Sequence, residues 1–246
     1  MKDDLLTGTV TQVGILNAII ASQLDGRLPC SELLQYGDLG IGSYDRMDGE
    51  MIIVDGQMYW AKSDGKVYPP DPANRTPFAV VCQFRPNQEW TVPQSADLAA
   101  VQKMIDEKAP NQNVFCAVRV HGTFSYMHTH ALPLQSKPYP PPAEMIKTVP
   151  QWELKNVTGT VVGFRAPPYV REVNDPGFHF HFISDDRTIG GHVRGFVMDR
   201  GVCAIAICPK HLVVLPENGD SLAGVDLSKD LVKEFLEEIG PGHGHG

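Results

Sequence analysis

The stretch from Gly177 to Val193, GFHFHFISDDRTIGGHV, constrains the fold of this chain more than any other part of the sequence. Phenylalanine and histidine alternate at positions 178–182, and a period of two residues is that of a β-strand. The phenylalanines then face one side of a sheet, as expected for a core face, and His179 and His181 face the other. The sequence therefore predicts a strand that presents two imidazoles away from the core.

A chain reversal should follow this strand, because two aspartates and two glycines lie between positions 185 and 191. In a roughly symmetric hairpin, His192 comes to lie opposite His181. Residues at i and i+2 of a strand are about 7 Å apart, so His179 belongs to the same group. Three convergent imidazoles are typical of a catalytic Zn²⁺ site, which keeps its fourth position open for water or substrate.

Simpler interpretations exist for each histidine, since a single imidazole often forms a hydrogen bond in a core or lies at the surface. A non-haem iron site is disfavoured because the paired histidines lack the usual carboxylate, and a cupin-like oxygenase is the remaining alternative. His128 and His130 form a second i, i+2 pair that would add ligands or a proton-transfer group. From its position in the sequence, Glu50 is interpreted as a solvated acid. The histidines of the terminal GHGHG are interpreted as flexible.

Composition excludes several functions. A net charge of −8 disfavours a nucleic-acid partner, which needs a basic face. No apolar run reaches the roughly 18–20 residues of a membrane span, and the first residues lack a signal-peptide pattern. Five cysteines without a C-x-x-C pair indicate reduced thiols, and we expect a soluble, cytoplasmic protein. With 246 residues the chain can bury about 70–75% of its surface, so a metal would serve chemistry rather than folding.

Periodicity and turn residues predict a few helices among many strands. The predicted helices are 11–24, 31–36, a helix capped by Ser95 and ending before Pro110, and 228–239. The predicted strands are 51–54, 57–61, 78–84, 114–120, 124–130, 157–164, 178–183, 192–198, 202–207 and 212–215. This pattern indicates an α+β fold with two mixed or antiparallel β-sheets and a few peripheral helices. We expect residues 1–135 and 136–246 to form two halves of one compact unit, the second carrying the metal site and the C-terminal helix.

Seven motifs, spread in order over roughly residues 10 to 240, resemble the α-acetolactate decarboxylase family. They are LLQYGDLGIG (33–42), MDGE (47–50), TPFA (76–79), QSKPYP (135–140), GTVVGF (159–164), PYV (168–170) and the histidine stretch 177–193.

This resemblance implies a two-sheet α+β metalloenzyme, a homodimer that converts 2-acetolactate, a small 2-hydroxy-3-keto acid, into acetoin and carbon dioxide. It also implies that His179, His181 and His192 hold zinc, and that Glu50 is an active-site glutamate. A second glutamate comes from the C-terminal segment, where Glu238 is the best match and Glu237 its neighbour.

The chain departs from the family where His130 follows Thr129, because the family has arginine there. The resemblance implies that this arginine engages the carboxylate or oxyanion of the substrate. Imidazole is shorter and largely neutral near pH 7, so it does not replace a permanently charged, bidentate group. His130 would keep that role when protonated, or act as an acid or base.

The decarboxylation that the resemblance implies agrees with the residue types at the predicted site. Decarboxylation of a β-keto acid leaves an enediolate, and Zn²⁺ acts as a Lewis acid where that charge develops. Glu50 would then transfer a proton, and Glu238 would assist. Two alternatives stay open: another enolate reaction (isomerisation, dehydration or cyclisation) in a divergent family member, and a non-catalytic protein that binds a metal or ligand.

Overall fold

The structure, a computed structural model, describes residues 5–147, 149–215 and 222–239, with the backbone alone for 236–239. Two large sheets and a few short helices confirm the predicted α+β class. The strands are β1 (Thr9–Val13), β2 (Leu28–Pro29), β3 (Leu39–Ser43), β4 (Glu50–Val54), β5 (Gln57–Ala61), β6 (Val67–Tyr68), β7 (Arg75–Thr76), β8 (Ala79–Cys82), β9 (Gln88–Val92), β10 (Ala96–Asp97), β11 (Phe115–His130), β12 (Gln151–Ala166), β13 (Gly177–Ser184), β14 (Gly190–Cys208) and β15 (Lys210–Val214). The helices are α1 (Leu16–Ile20), α2 (Leu98–Lys108), α3 (Pro142–Lys147) and α4 (Leu231–Ile239), with 3₁₀ turns at Cys30–Gln35, Asp45–Met47 and Pro168–Val170.

The first sheet has the strand order β15-β1-β8-β3-β4-β5-β6 and is mixed, because β15 runs parallel to β1 and the other pairs are antiparallel. The second sheet is antiparallel, with the order β10-β14-β11-β12-β13 and with β9 also paired to β14. In addition β13 pairs with β14, so strands β11 to β14 close into a ring. The small two-stranded sheet is formed by β2 and β7.

The strand alternation sorts the buried side chains into three layers. Ile52 and Val54 of β4 face the layer between the two large sheets, where they meet Val162 of β12 and Ile183 of β13. Their neighbours on β4 face the opposite side of the first sheet, against the 3₁₀ turn at Cys30–Gln35. The third layer lies inside the ring and against α2. Even-numbered residues of β4 and odd-numbered residues of β13 therefore face each other.

The two large sheets do not correspond to residues 1–135 and 136–246, because each sheet contains strands from both ranges. Strand β11, before that point, lies between β12 and β14, and β15, after it, completes the edge of the first sheet beside β1.

The helix predicted over 11–24 is wrong in its first part. Residues Thr9–Val13 form β1, and only Leu16–Ile20 are helical. A strand forms here instead of a helix because β1 is paired on both sides, with β8 and with β15. Strand β15 follows β1 by about 200 residues. Gly14 at φ +73° then ends the strand, in a conformation that glycine adopts easily.

The predicted N-cap of the central helix is also wrong. Ser95 has φ +62°, and Asp97 caps α2 by accepting a hydrogen bond at 2.8 Å from the amide of Ala100. Asp97 is an equally good cap residue that lies two positions later. The predicted C-terminal helix is shorter at its start and begins at Leu231, where Asp230 accepts a bond from the Lys233 amide.

Positions 114–120 and 124–130 are one strand, β11, rather than two joined near Gly122. Next to Phe124 the extra residue Ser125 forms a β-bulge, which reverses the alternation of β11 beyond it. A period of two over this segment predicts one shared face for Phe124, Tyr126, His128 and His130, and this prediction is wrong: Phe124 lies in the core, whereas both histidines are partly exposed. The same continuity joins the two predicted strands after His192 into β14.

Gly122 is required for close packing inside the ring. A Cβ at this position would lie 2.1 Å from the backbone oxygen of Arg200 and 2.6 Å from the Cα of Gly201. We expect Gly122→Ala to lower the free energy of unfolding by about 2 kcal/mol or more, because backbone on the partner strand must move. Chemical denaturation measures this.

Gly195→Ala on β14 is the matched control, since a Cβ there meets nothing within 4 Å. It should change the free energy of unfolding by less than about 1 kcal/mol. Equal effects of the two substitutions would contradict this account of the packing.

Candidate metal centre and active site

Three histidines from adjacent strands converge at one end of the layer between the sheets. His179 and His181 come from β13 and His192 from β14, directly opposite His181 as the hairpin predicts. One nitrogen of each imidazole lies within 4.8 Å of the corresponding nitrogens of the other two. His181 and His192 are buried and His179 is half-buried. Three imidazole nitrogens at this separation fit a transition-metal ion such as zinc, copper or iron.

A backbone contact sets the proton position of His181. Its Nδ1 lies 2.8 Å from the carbonyl oxygen of Met51 on β4. A carbonyl only accepts hydrogen bonds, so Nδ1 donates and Nε2 of the neutral ring keeps its lone pair for a metal. Such a bond from the second nitrogen is typical of metal-binding histidines, whose ring orientation it holds.

Glu50 faces the same group of histidines from the first sheet. Its side chain is 7% exposed, and Oε2 lies 3.5 Å from Nε2 of His181. Oε1 accepts a hydrogen bond at 3.1 Å from the amide of Leu132, which follows β11. The interpretation of Glu50 as a solvated acid is therefore wrong, because the alternation of β4 points this residue inward together with Ile52.

Burial raises the pKa of the Glu50 carboxyl to about 7, and the hydrogen bond from the Leu132 amide opposes that rise. A dication held by the adjacent histidines would lower the pKa again. Glu50 thus combines a fixed position with a carboxyl group that does not ionise as readily as one in water.

His130 and His128 have different surroundings. The ring of His130 stacks on that of His192, with centroids 4.4 Å apart and planes 22° from parallel. His130 also borders the cavity described below. His128 instead pairs with Gln151, whose Oε1 lies 2.8 Å from its Nε2. Only His130 of this pair therefore belongs to the site.

A cavity of about 370 Å³ opens over the three histidines. This volume suits a small molecule. Apolar side chains and a few charged groups line it: Leu16, Ile19, Gly42, Ser43, Met47, Glu50, Phe78, His130, Leu132, Ile146, Lys147, Val149, Gln151, Asp175, His179, His181, His192, Arg194 and Phe235.

Comparisons with known proteins agree on one family. The family model for alpha-acetolactate decarboxylase matches residues 10–229. The chain belongs to the alpha-acetolactate decarboxylase family. The alpha-acetolactate decarboxylase of Methanosarcina mazei is 40% identical over 225 residues, which are 90% of this chain and 78% of that protein. The one from Methylococcus capsulatus is 38% identical over 230 residues, covering 94% and 86%.

A crystal structure of the alpha-acetolactate decarboxylase from Bacillus subtilis strain 168 superposes with a TM-score of 0.89. The two chains are 32% identical, and the match covers 94% of this chain and 98% of that one. Membership of the alpha-acetolactate decarboxylase family therefore rests on sequence and on fold, and the resemblance seen in the motifs is confirmed. No helix within the described residues is both long and apolar enough to cross a membrane.

Two further sequence predictions concern the C-terminal region. Helix α4 reaches the site, since Phe235 borders the cavity, but the side chains of Glu237 and Glu238 lie outside the described residues, as does the terminal GHGHG.

Arg194, Asp175 and Lys147 border the cavity but were not predicted. Arg194 could have been identified, because it follows His192 by two residues on the same strand.

Proposed function

We propose that the protein is a zinc-dependent carboxy-lyase that converts 2-acetolactate (2-hydroxy-2-methyl-3-oxobutanoate) into acetoin and carbon dioxide. One observation carries this proposal: in a chain of the alpha-acetolactate decarboxylase family, three convergent histidines face a buried glutamate in a single cavity. The cavity volume suits a substrate of this size.

The reaction breaks the carbon–carbon bond to the carboxylate, and carbon dioxide leaves without the bonding electrons. These electrons remain on the substrate as an enediolate, which then takes one proton at carbon to give acetoin. The protein must therefore hold the substrate, stabilise negative charge on its oxygens and supply one proton.

His179, His181 and His192 would hold zinc, which when bound supplies a Lewis acid for the charge that develops during loss of carbon dioxide. Zinc is favoured by the all-imidazole donor set, because three histidines are one of the ligand sets of catalytic zinc sites, which keep an open position. The hydrogen bond from His181 to the Met51 carbonyl supports this role.

Glu50 is the residue that we assign to proton transfer. Its Oε1 is held by the Leu132 amide, and Oε2 faces the histidines. A carboxyl group fixed in this way can deliver its proton to one face of the enediolate without rearranging, and solvent restores the proton after acetoin leaves.

The second glutamate, the cellular compartment and the oligomeric state stay predictions. The second glutamate is Glu238, the best match to the family, with Glu237 as its neighbour. A cytoplasmic homodimer is implied by the resemblance, and its mass in solution can be measured by light scattering.

The test combines metal analysis with product analysis. The purified protein is expected to contain stoichiometric zinc and to release carbon dioxide and acetoin in equal amounts from acetolactate. A protein without stoichiometric metal would contradict a metalloenzyme. Zinc without carbon dioxide release would instead indicate a different enolate reaction.

A further inference from the structure

We propose that Arg194 binds the carboxylate of the substrate and thereby makes the site selective for acids. This inference rests on the proposed function, because that function supplies the carboxylate. His130, the position where the sequence departs from the family, is then not the main anion-binding residue.

Arg194 lies two residues after His192, with the core residue Val193 between them, and it is the extra residue of a β-bulge. Thr129 of β11 lies opposite Val193, and His128 lies opposite Gly195, so Arg194 has no residue opposite it on β11. The bulge reverses the alternation beyond Arg194 and leaves Arg194 on the same side of the strand as His192. Here Val193 and Phe196 both pack into the core inside the ring, although they are three residues apart, and Arg194 between them borders the cavity. It is half-buried and follows His192 by two residues.

The guanidinium of Arg194 is available for a ligand. Within the described part of the chain it takes part in no ion pair, whereas Arg46, Arg85, Arg119, Arg165 and Arg171 each lie within 4 Å of an aspartate carboxylate. The other cation that borders the cavity, Lys147, is bonded to Glu144 at 2.7 Å. Arg194 is therefore the cation of the cavity whose charge no described carboxylate neutralises.

A carboxylate is the ligand that this arrangement fits. Guanidinium binds a carboxylate through two parallel hydrogen bonds, which fix its orientation as well as its charge. Glu50 and Asp175 also border the cavity, so a cationic side chain is needed to offset the charge of these two acids around an anionic substrate. The stacked ring of His130 lies against His192 and offers no comparable pair of donors.

The test measures binding rather than turnover. Calorimetry on the zinc-loaded protein would use 2,3-dihydroxy-2-methylbutanoate, a non-reactive acid of the substrate's size, and its uncharged methyl ester. We expect the unaltered protein to bind the acid about tenfold or more tightly than the ester, and Arg194→Gln to lower this ratio by about tenfold. Arg200→Gln, on the exposed part of β14, is the matched control and should keep the preference for the acid.

Each outcome separates this inference from the proposed function. If Arg194→Gln keeps the full preference for the acid, or if His130→Gln alone loses it, Arg194 is not the carboxylate-binding residue, whatever the activity of the unaltered protein. If the preference depends on Arg194 but the unaltered protein releases no carbon dioxide from acetolactate, carboxylate binding stands and decarboxylation is wrong. Zinc content, measured in every variant, should not change.

Discussion

His192→Ala is expected to remove the metal from the protein and to lower the rate of carbon dioxide release by about a thousandfold or more. Two remaining imidazoles bind zinc weakly, and Lewis-acid stabilisation of developing charge contributes several kcal/mol to the reaction. The fold should persist, because the three apolar layers do not depend on the metal. Metal analysis, circular dichroism and a carbon dioxide assay together test this.

His121→Ala is the matched control for this substitution. His121 lies on β11, outside the cavity, and is half exposed beside Asp185, so its removal should change neither metal content nor rate. Full zinc content in His192→Ala would contradict the proposed ligand set. Global unfolding of His192→Ala with an intact control would show instead that the ion is structural.

Glu50→Gln is expected to lower kcat by about 10²- to 10⁴-fold, the range typical of a lost general acid or base. Glutamine has the same shape and keeps an oxygen that can accept the hydrogen bond from the Leu132 amide. It has no proton to give to the enediolate. Because the side chain is not among the three proposed ligands, zinc content should stay close to that of the unaltered protein, as metal analysis would show.

Glu153→Gln, on an exposed position of β12, is the control for loss of one negative charge. Equal rates for Glu50→Gln and the unaltered protein would remove Glu50 from proton transfer. Loss of zinc from Glu50→Gln would assign it to metal binding instead.

The metal site could be predicted from sequence because its information is local. His179, His181 and His192 lie within fourteen positions on one hairpin, and the alternation of five residues together with the turn residues determines which way each side chain faces. The environment of Glu50 could not be predicted in the same way. Its burial depends on the other sheet and on the Leu132 amide, which lies 82 positions later.

Irregular features account for the other differences. Alternation fails at a bulge: beyond the bulges of β11 and β14, Met127 and Phe196 lie in the core, where a strict period of two would place Tyr126 and Gly195. The strand β1 was predicted as helix because its pairing with β15 connects distant segments, which local periodicity does not report. The resemblance to the family supplied roles for residues, but it did not supply these contacts.

The hydrogen bonds around Glu50 join the two sheets at the site itself. The Gly49 amide donates to the Leu132 carbonyl, the Leu132 amide donates to Glu50, and His181 donates to Met51. The acid and the imidazoles therefore belong to different sheets and keep their spacing only while both sheets pack as they do here. We therefore expect a chimera that takes one sheet from a relative to keep both sheets intact and yet to alter the spacing between Glu50 and the histidines.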